Sequence, residues 1–164
     1  MCFSQDWSKP LLWAHYADKH KGIAIGFEIL QDEVIRVDYS PDPIRAQIKL
    51  TNDLKTDEKL FLDLAKVKYK KWEYENEYRI LVKLKDCLSP TADGLRFLEF
   101  GDRLKLREIV LGCKFDYRKE IENIIRLAKQ SDAKVIPTRQ GWEDYMIHQC
   151  GTKTKQYLNK KAKA

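Results

Sequence analysis

Apolar positions along the chain fall into short blocks whose spacing changes from helical to strand-like and back. Leu12, Trp13, Tyr16, Ala17 and His20 share one side of a helix drawn at about 100° per residue. The spacing predicts a helix over LLWAHYADKHK, capped by Ser8, with Pro10 in its first turn and a stop at Gly22. IAIGFEI (23–29) is a run of apolar and β-branched residues and predicts a strand. EVIRVDYS (33–40) alternates, with Ile35, Val37 and Tyr39 on one face, and the two segments predict a hairpin turning at Gln31-Asp32. SPDP is a loop, and residues 44–50 are a weak further strand.

A second helix starts at Thr56, with Leu60, Phe61, Leu64, Ala65 and Lys68 as its inner stripe. Strands follow over YRILVKL (78–84), LRFLEF (95–100) and LREIVLG (106–112), with a loop from Ser89 to Gly94. Asp116 caps a third helix carrying Ile121, Ile124, Ile125 and Ala128 at helical spacing. AKVIPTRQ (133–140) is a last strand, ahead of the aromatic segment GWEDYMI, which covers one end of the sheet. At the start of the chain, Cys2-Phe3-Ser4 reads as the end of a strand already inside a fold. The order is not a regular βαβ alternation and holds no glycine-rich dinucleotide loop. It predicts an α+β fold with a mixed, largely antiparallel sheet and about three helices. Residues 1–150 read as a single domain and residues 151–164 as a basic, disordered tail.

Composition adds limits. A chain of 164 residues suffices for one domain with a real core. It has 31 basic and 25 acidic residues, a net charge of +6. Lys153, Lys155, Lys160, Lys161 and Lys163 supply all but one of those excess charges. The body is therefore not a basic nucleic-acid surface, while the tail is either a solvated end or a weak phosphate contact. No apolar run approaches the length of a bilayer span, and no signal segment opens the chain, so a cytoplasmic protein without a membrane contact is expected. Cys2, Cys87, Cys113 and Cys150 lie far apart without a CxxC pair, which fits reduced thiols and no metal centre.

Candidate chemistry concentrates in WEYENEYRIL (72–81). Strand alternation puts Glu75, Glu77 and Arg79 on one face and Tyr78 and Ile80 on the other. That face is either a solvated ion-pair ladder, with Glu77 paired to Arg79, or a site in which Glu77 or Glu75 is a catalytic carboxylate and Arg79 orients it or an anionic ligand. His15 and His20 are five residues apart, which does not suit a zinc pair on a helix. His20 is either a cation favoured by the helix C-terminus or a core histidine bonded to a carbonyl. Trp13 and Tyr16 are core anchors or a platform for a flat base.

CFS (2–4), LLWAHYADKHKGIAIGF (11–27), KYKKWEYENEYRIL (68–81) and EIVLGCKF (108–115) together resemble a bacterial domain-of-unknown-function family, twenty-nine seventy-one. The resemblance runs from residue 2 to about 140. Members of that family carry more chain upstream, with an aromatic-basic strand and an Asn-Asp-Pro motif, so this sequence resembles the C-terminal part of a full domain. The family layout is in turn similar to ADP-ribosyltransferase-like domains. That likeness implies that Ser4 is the middle-strand hydroxyl and that Glu77, in the E-x-E with Glu75, is the catalytic carboxylate, with NAD or another nucleotide as ligand. The expected site then has Glu77, Glu75 and Ser4 as catalytic residues and Trp13, His15, Tyr16, His20, Trp72 and Arg79 as ligand-binding ones. The alternative is a non-catalytic interaction module or truncated remnant, in which the same charges form a buried network that needs every one of them paired.

Overall fold

The structure, a computed structural model, describes residues 1–43 and 54–159. In chain order the elements are β1 (Cys2–Ser4), α1 (Pro10–Tyr16), β2 (Ile23–Ile29), β3 (Ile35–Arg36), β4 (Asp38–Ser40), α2 (Leu54–Ala65), β5 (Val67–Tyr69), β6 (Glu77–Arg79), β7 (Leu104–Leu111), α3 (Ile121–Gln130), β8 (Lys134–Gln140), β9 (Ile147–Gln149) and α4 (Gly151–Lys153). Four strand pairings are antiparallel and two parallel, and three of the helices described run to seven residues or more. The expected α+β architecture holds. No helix among the described residues is long and apolar enough to cross a membrane.

The chain forms two compact units, each assembled from two stretches of sequence. The first comprises Met1–Asp6 and Leu30–Glu99. It holds a three-stranded sheet in the order β1-β6-β3 and the parallel pair β4-β5. Among the described residues its buried apolar side chains are Val37 and Ile80, and its buried carboxylates are Glu75 and Glu77. β1 is stitched to β6 beyond the ladder as well, since Met1 N donates to Ile80 O (2.8 Å) and Ile80 N to Met1 O (2.9 Å).

The second unit comprises Trp7–Ile29 and Phe100–Ala164 and holds a sheet in the order β2-β7-β8-β9. β7 lies between β2 and β8, so both its edges are paired, and side chains pack on both its faces. Ile109 and Leu111 pack with Tyr117 and with Ile121, Ile124 and Ala128 of α3. Val110, pointing the other way, packs with Trp13, Ala17, Ile136 and Ile147.

Several local expectations change. The segment 23–29 forms its strand over the expected span but no hairpin with 33–40. β2 pairs instead with β7 from Ile23↔Leu111 to Ile29↔Leu104, while β3 pairs with β6 and β4 with β5. A 3-10 turn at Gln31–Glu33 interrupts the chain where the tight turn was expected. α1 starts after Lys9, which takes the N-cap position expected for Ser8, and stops at Tyr16. α2 opens at Leu54, before Thr56, and Phe61 of its expected inner stripe is exposed, while Lys68 lies beyond it on β5. The strand of 78–84 ends at Arg79, residues 95–100 form none, and β9 follows the strand expected to be last. Asp116 does not cap α3, which begins at Ile121, but accepts Arg118 N at 3.1 Å in the preceding turn. The weak strand at 44–50 lies outside the described residues. The supposed tail is helical from Gly151 to Asn159. Its Lys153 turns inward, donating to Cys113 O (2.9 Å) and Thr138 O (3.0 Å) over the Tyr117 ring.

Candidate functional site

The residues expected to act together fall into two groups. Ser4, Trp72, Glu75, Glu77 and Arg79 belong to the first unit, and Trp13, His15, Tyr16 and His20 to the second.

In the first unit the route to Glu77 is not a continuous strand. Lys70–Glu75 form a 3-10 helix that ends at Asn76, which takes the left-handed conformation (φ 44°, ψ 56°) before β6 begins. Asparagine tolerates that region better than most residues, and its Nδ2 donates to Gln5 Oε1 at 2.7 Å. This reversal turns the Glu75 and Glu77 side chains onto one cation. Lys68 Nζ pairs with Glu75 Oε2 and lies 2.7 Å from Glu77 Oε2. Arg79 Nε meets Glu77 Oε1 at 2.7 Å, and its Nη1 donates to Ala65 O at 2.5 Å. Two acids and two bases make the cluster neutral. Both carboxylates are 4% exposed, so the solvated-ladder alternative is half right: the Glu77–Arg79 pair forms, but inside the unit.

The backbone around the cluster is also fixed. Glu77 N donates to Tyr39 Oη (2.8 Å), Val37 N donates to Glu77 O (3.0 Å), and Ser4 Oγ donates to Glu75 O (2.6 Å). Ser4 stands directly opposite Glu77 across the β1–β6 ladder, and Cys2 opposite Arg79. Lys68 also lies 5.3 Å over the Trp72 ring, which tilts against Tyr74 at 5.9 Å.

Burial alone would push the Glu77 carboxyl up. Hydrogen bonds from Arg79, Lys68 and the Cys2 thiol, with the Arg79 charge, outweigh it and hold the group at about 2. Burial works against the Lys68 ammonium, yet its bonds to Glu75 and Glu77 hold its value above the ordinary lysine range. Burial and then the bond to Glu77 push the Cys2 thiol up, away from a reactive thiolate. A carboxylate held so low is a poor proton acceptor near neutral pH. Near neutral pH it is a fixed negative charge, and two cations answer it.

The α1 residues divide by face. Trp13 is 2% exposed, and its Nε1 donates to Trp7 O at 2.6 Å, which makes it a core anchor. His15 and Tyr16 are exposed, their rings 6.2 Å apart. His20 is off the helix altogether: Asp18, Lys19 and His20 are three successive residues with positive φ (41°, 52° and 73°). Neither expectation for His20 stands: burial and Lys114 disfavour its cation, and its buried Nδ1 has no hydrogen-bond partner among the described residues.

Sequence reasoning missed Lys68, Tyr39 and Cys2. Lys68 was assigned to a helical stripe, and only the β4–β5 pairing, which sets Tyr39 beside Lys68, carries both toward Glu77. Among the described residues no three His, Cys, Asp or Glu side chains are grouped so as to hold a metal ion.

The family model described as a protein of unknown function (DUF2971) matches residues 12–80. The resemblance to that family therefore stands over the α1 segment and the stretch through Trp72, Glu75, Glu77 and Arg79. The CFS block and the block at 108–115 lie outside the matched residues. No curated protein and no solved structure matches the chain.

Proposed function

We propose that the Lys68–Glu75–Glu77–Arg79 cluster is a structural ionic lock, and that the unit carrying it works as a non-catalytic interaction module. One observation carries this reading: each Glu77 oxygen already accepts from a cationic side chain, at 2.7 Å on either side, in a carboxylate that is almost wholly covered. The lock ties β5, the 3-10 turn before β6, and β6 itself, through charges that sum to zero. Covered ion pairs of this kind hold a particular arrangement rather than offer charge to a ligand.

A nucleotide-handling, ADP-ribosyltransferase-like enzyme is the second reading. It draws on the juxtaposition of Ser4 and Glu77 as direct partners across two strands. In that reading a ribose hydroxyl replaces Lys68 on Glu77.

A thermal-shift screen with NAD and other nucleotides separates the two, run on the wild type and on Glu77→Gln. The lock predicts no shift with any nucleotide and a lower melting temperature for the variant. A nucleotide that stabilises the wild type, with the gain abolished by Glu77→Gln and by Ser4→Ala, would establish the enzyme reading instead.

A further inference from the structure

The turn after α1 combines three unusual features around one side chain. His20 closes a run of three left-handed residues, a conformation costly for residues with a Cβ. Its backbone is tied on both sides, with His20 N donating to Trp13 O (3.2 Å) and Lys114 N donating to His20 O (3.0 Å). The same carbonyl lies where a Cβ on Gly112 would be, 2.2 Å from the ideal position, so only glycine at 112 lets the turn close against the end of β7. The imidazole is then held with Nδ1 buried and unbonded among the described residues.

We propose that His20 is an acid-sensitive pin: the neutral ring fits this turn and the imidazolium does not, so acid loosens Ala17–Gly22 from Gly112 and Lys114. Protonation places an N–H on Nδ1, and a buried donor without an acceptor is costly. The charged group that acts on the ring from outside its own segment is Lys114, of the turn after β7, which repels an imidazolium. Within the segment, Asp18, Lys19 and Lys21 are exposed. Trp13, on α1, brings no charge. Burial and then Lys114 accordingly hold His20 below the ordinary histidine value. The pin is independent of whether the Glu77 cluster binds a nucleotide.

Two measurements on the intact chain test it. The first is amide hydrogen exchange, corrected for the intrinsic pH dependence of exchange, at about pH 7.5 and about pH 5, which bracket the ordinary histidine value. Protection at His20, Gly22 and Lys114 should fall severalfold in the wild type at the lower pH. It should stay constant in His20→Asn, which keeps a residue tolerant of positive φ but removes the titration. Equal protection at both pH values, or the same fall in the variant, would overturn the proposal. Should the variant fail to fold, the imidazole resonances of the wild type decide. His20 should titrate below the ordinary histidine value of 6.5, and Lys114→Gln should raise its midpoint. A His20 midpoint at or above 6.5 would also overturn it.

Discussion

Replacing Glu77 by glutamine leaves Lys68 with Glu75 and leaves Arg79 with a neutral amide and the Ala65 carbonyl. Removing one member of a covered ion pair costs about 3–5 kcal/mol, since the remaining charge stays desolvated. Lys68 and Arg79 retain some solvent contact, so a loss near the lower end, about 3 kcal/mol, is expected in urea unfolding. Lys68→Met should cost a similar amount by leaving two carboxylates together. The double variant should cost clearly less than the two single losses combined. Strict additivity would mean that Lys68 and Glu77 do not act as a pair. Charge alternation in YENEYR made the Glu77–Arg79 pairing legible in the sequence. The burial was not legible, because it depends on Lys68, seven residues before Glu75, and on a left-handed Asn76 that breaks the alternation.

Elements whose identity rests on their own periodicity were readable. β2 is IAIGFEI, as its apolar and β-branched run implies, and α3 buries Ile121, Ile124 and Ala128 as its spacing implies. Pairings were not readable, because neighbouring strands in sequence are ordinarily neighbours in space. Here a 3-10 turn at Gln31–Glu33 follows β2, and its partner β7 starts at Leu104. The end of α1 departs from the sequence pattern for a related reason. Gly22 is a plausible helix stop, but α1 ends at Tyr16 and Asp18–His20 already take positive φ, so the chain leaves the helix before Gly22. The junction of that turn with β7 predicts a severe effect for Gly112→Ala. Its new Cβ would meet backbone rather than a flexible side chain, and a loss of about 1–3 kcal/mol or more is expected in denaturant unfolding. Gly101→Ala, with no atom within 4 Å of its Cβ position, is the control and should be nearly silent. In the same unit, Lys153→Met removes two charge-assisted bonds to carbonyls, one of them to Cys113 beside Gly112. Amide exchange at Thr154, whose N–H bonds to Cys150 O, should rise markedly, while that of β7 changes little.

Across the molecule, the two units respond to acid through different groups. The folded value of Glu77, about 2, lies below its ordinary 4.5, so the unfolded chain binds this proton first as pH falls. Its contribution is complete above about pH 4.5 and is lost as pH falls through about 2, with a ceiling of about 3 kcal/mol from the size of the shift. His20 is also lowered, from an ordinary 6.5, so its contribution is complete above that value and declines as pH drops beneath it. Acid should therefore weaken the second unit first, in the mildly acidic range, and the first unit only in strong acid. Amide reporters assigned to each unit, followed through a urea series at stepped pH, distinguish these windows. Glu77→Gln should flatten the low-pH loss at Val37 and Ile80 without changing the response of Gly22 and Lys114. His20→Asn should do the reverse. If one substitution flattened both windows, the two titrations would not be separable by unit, and the acid response would belong to the chain as a whole.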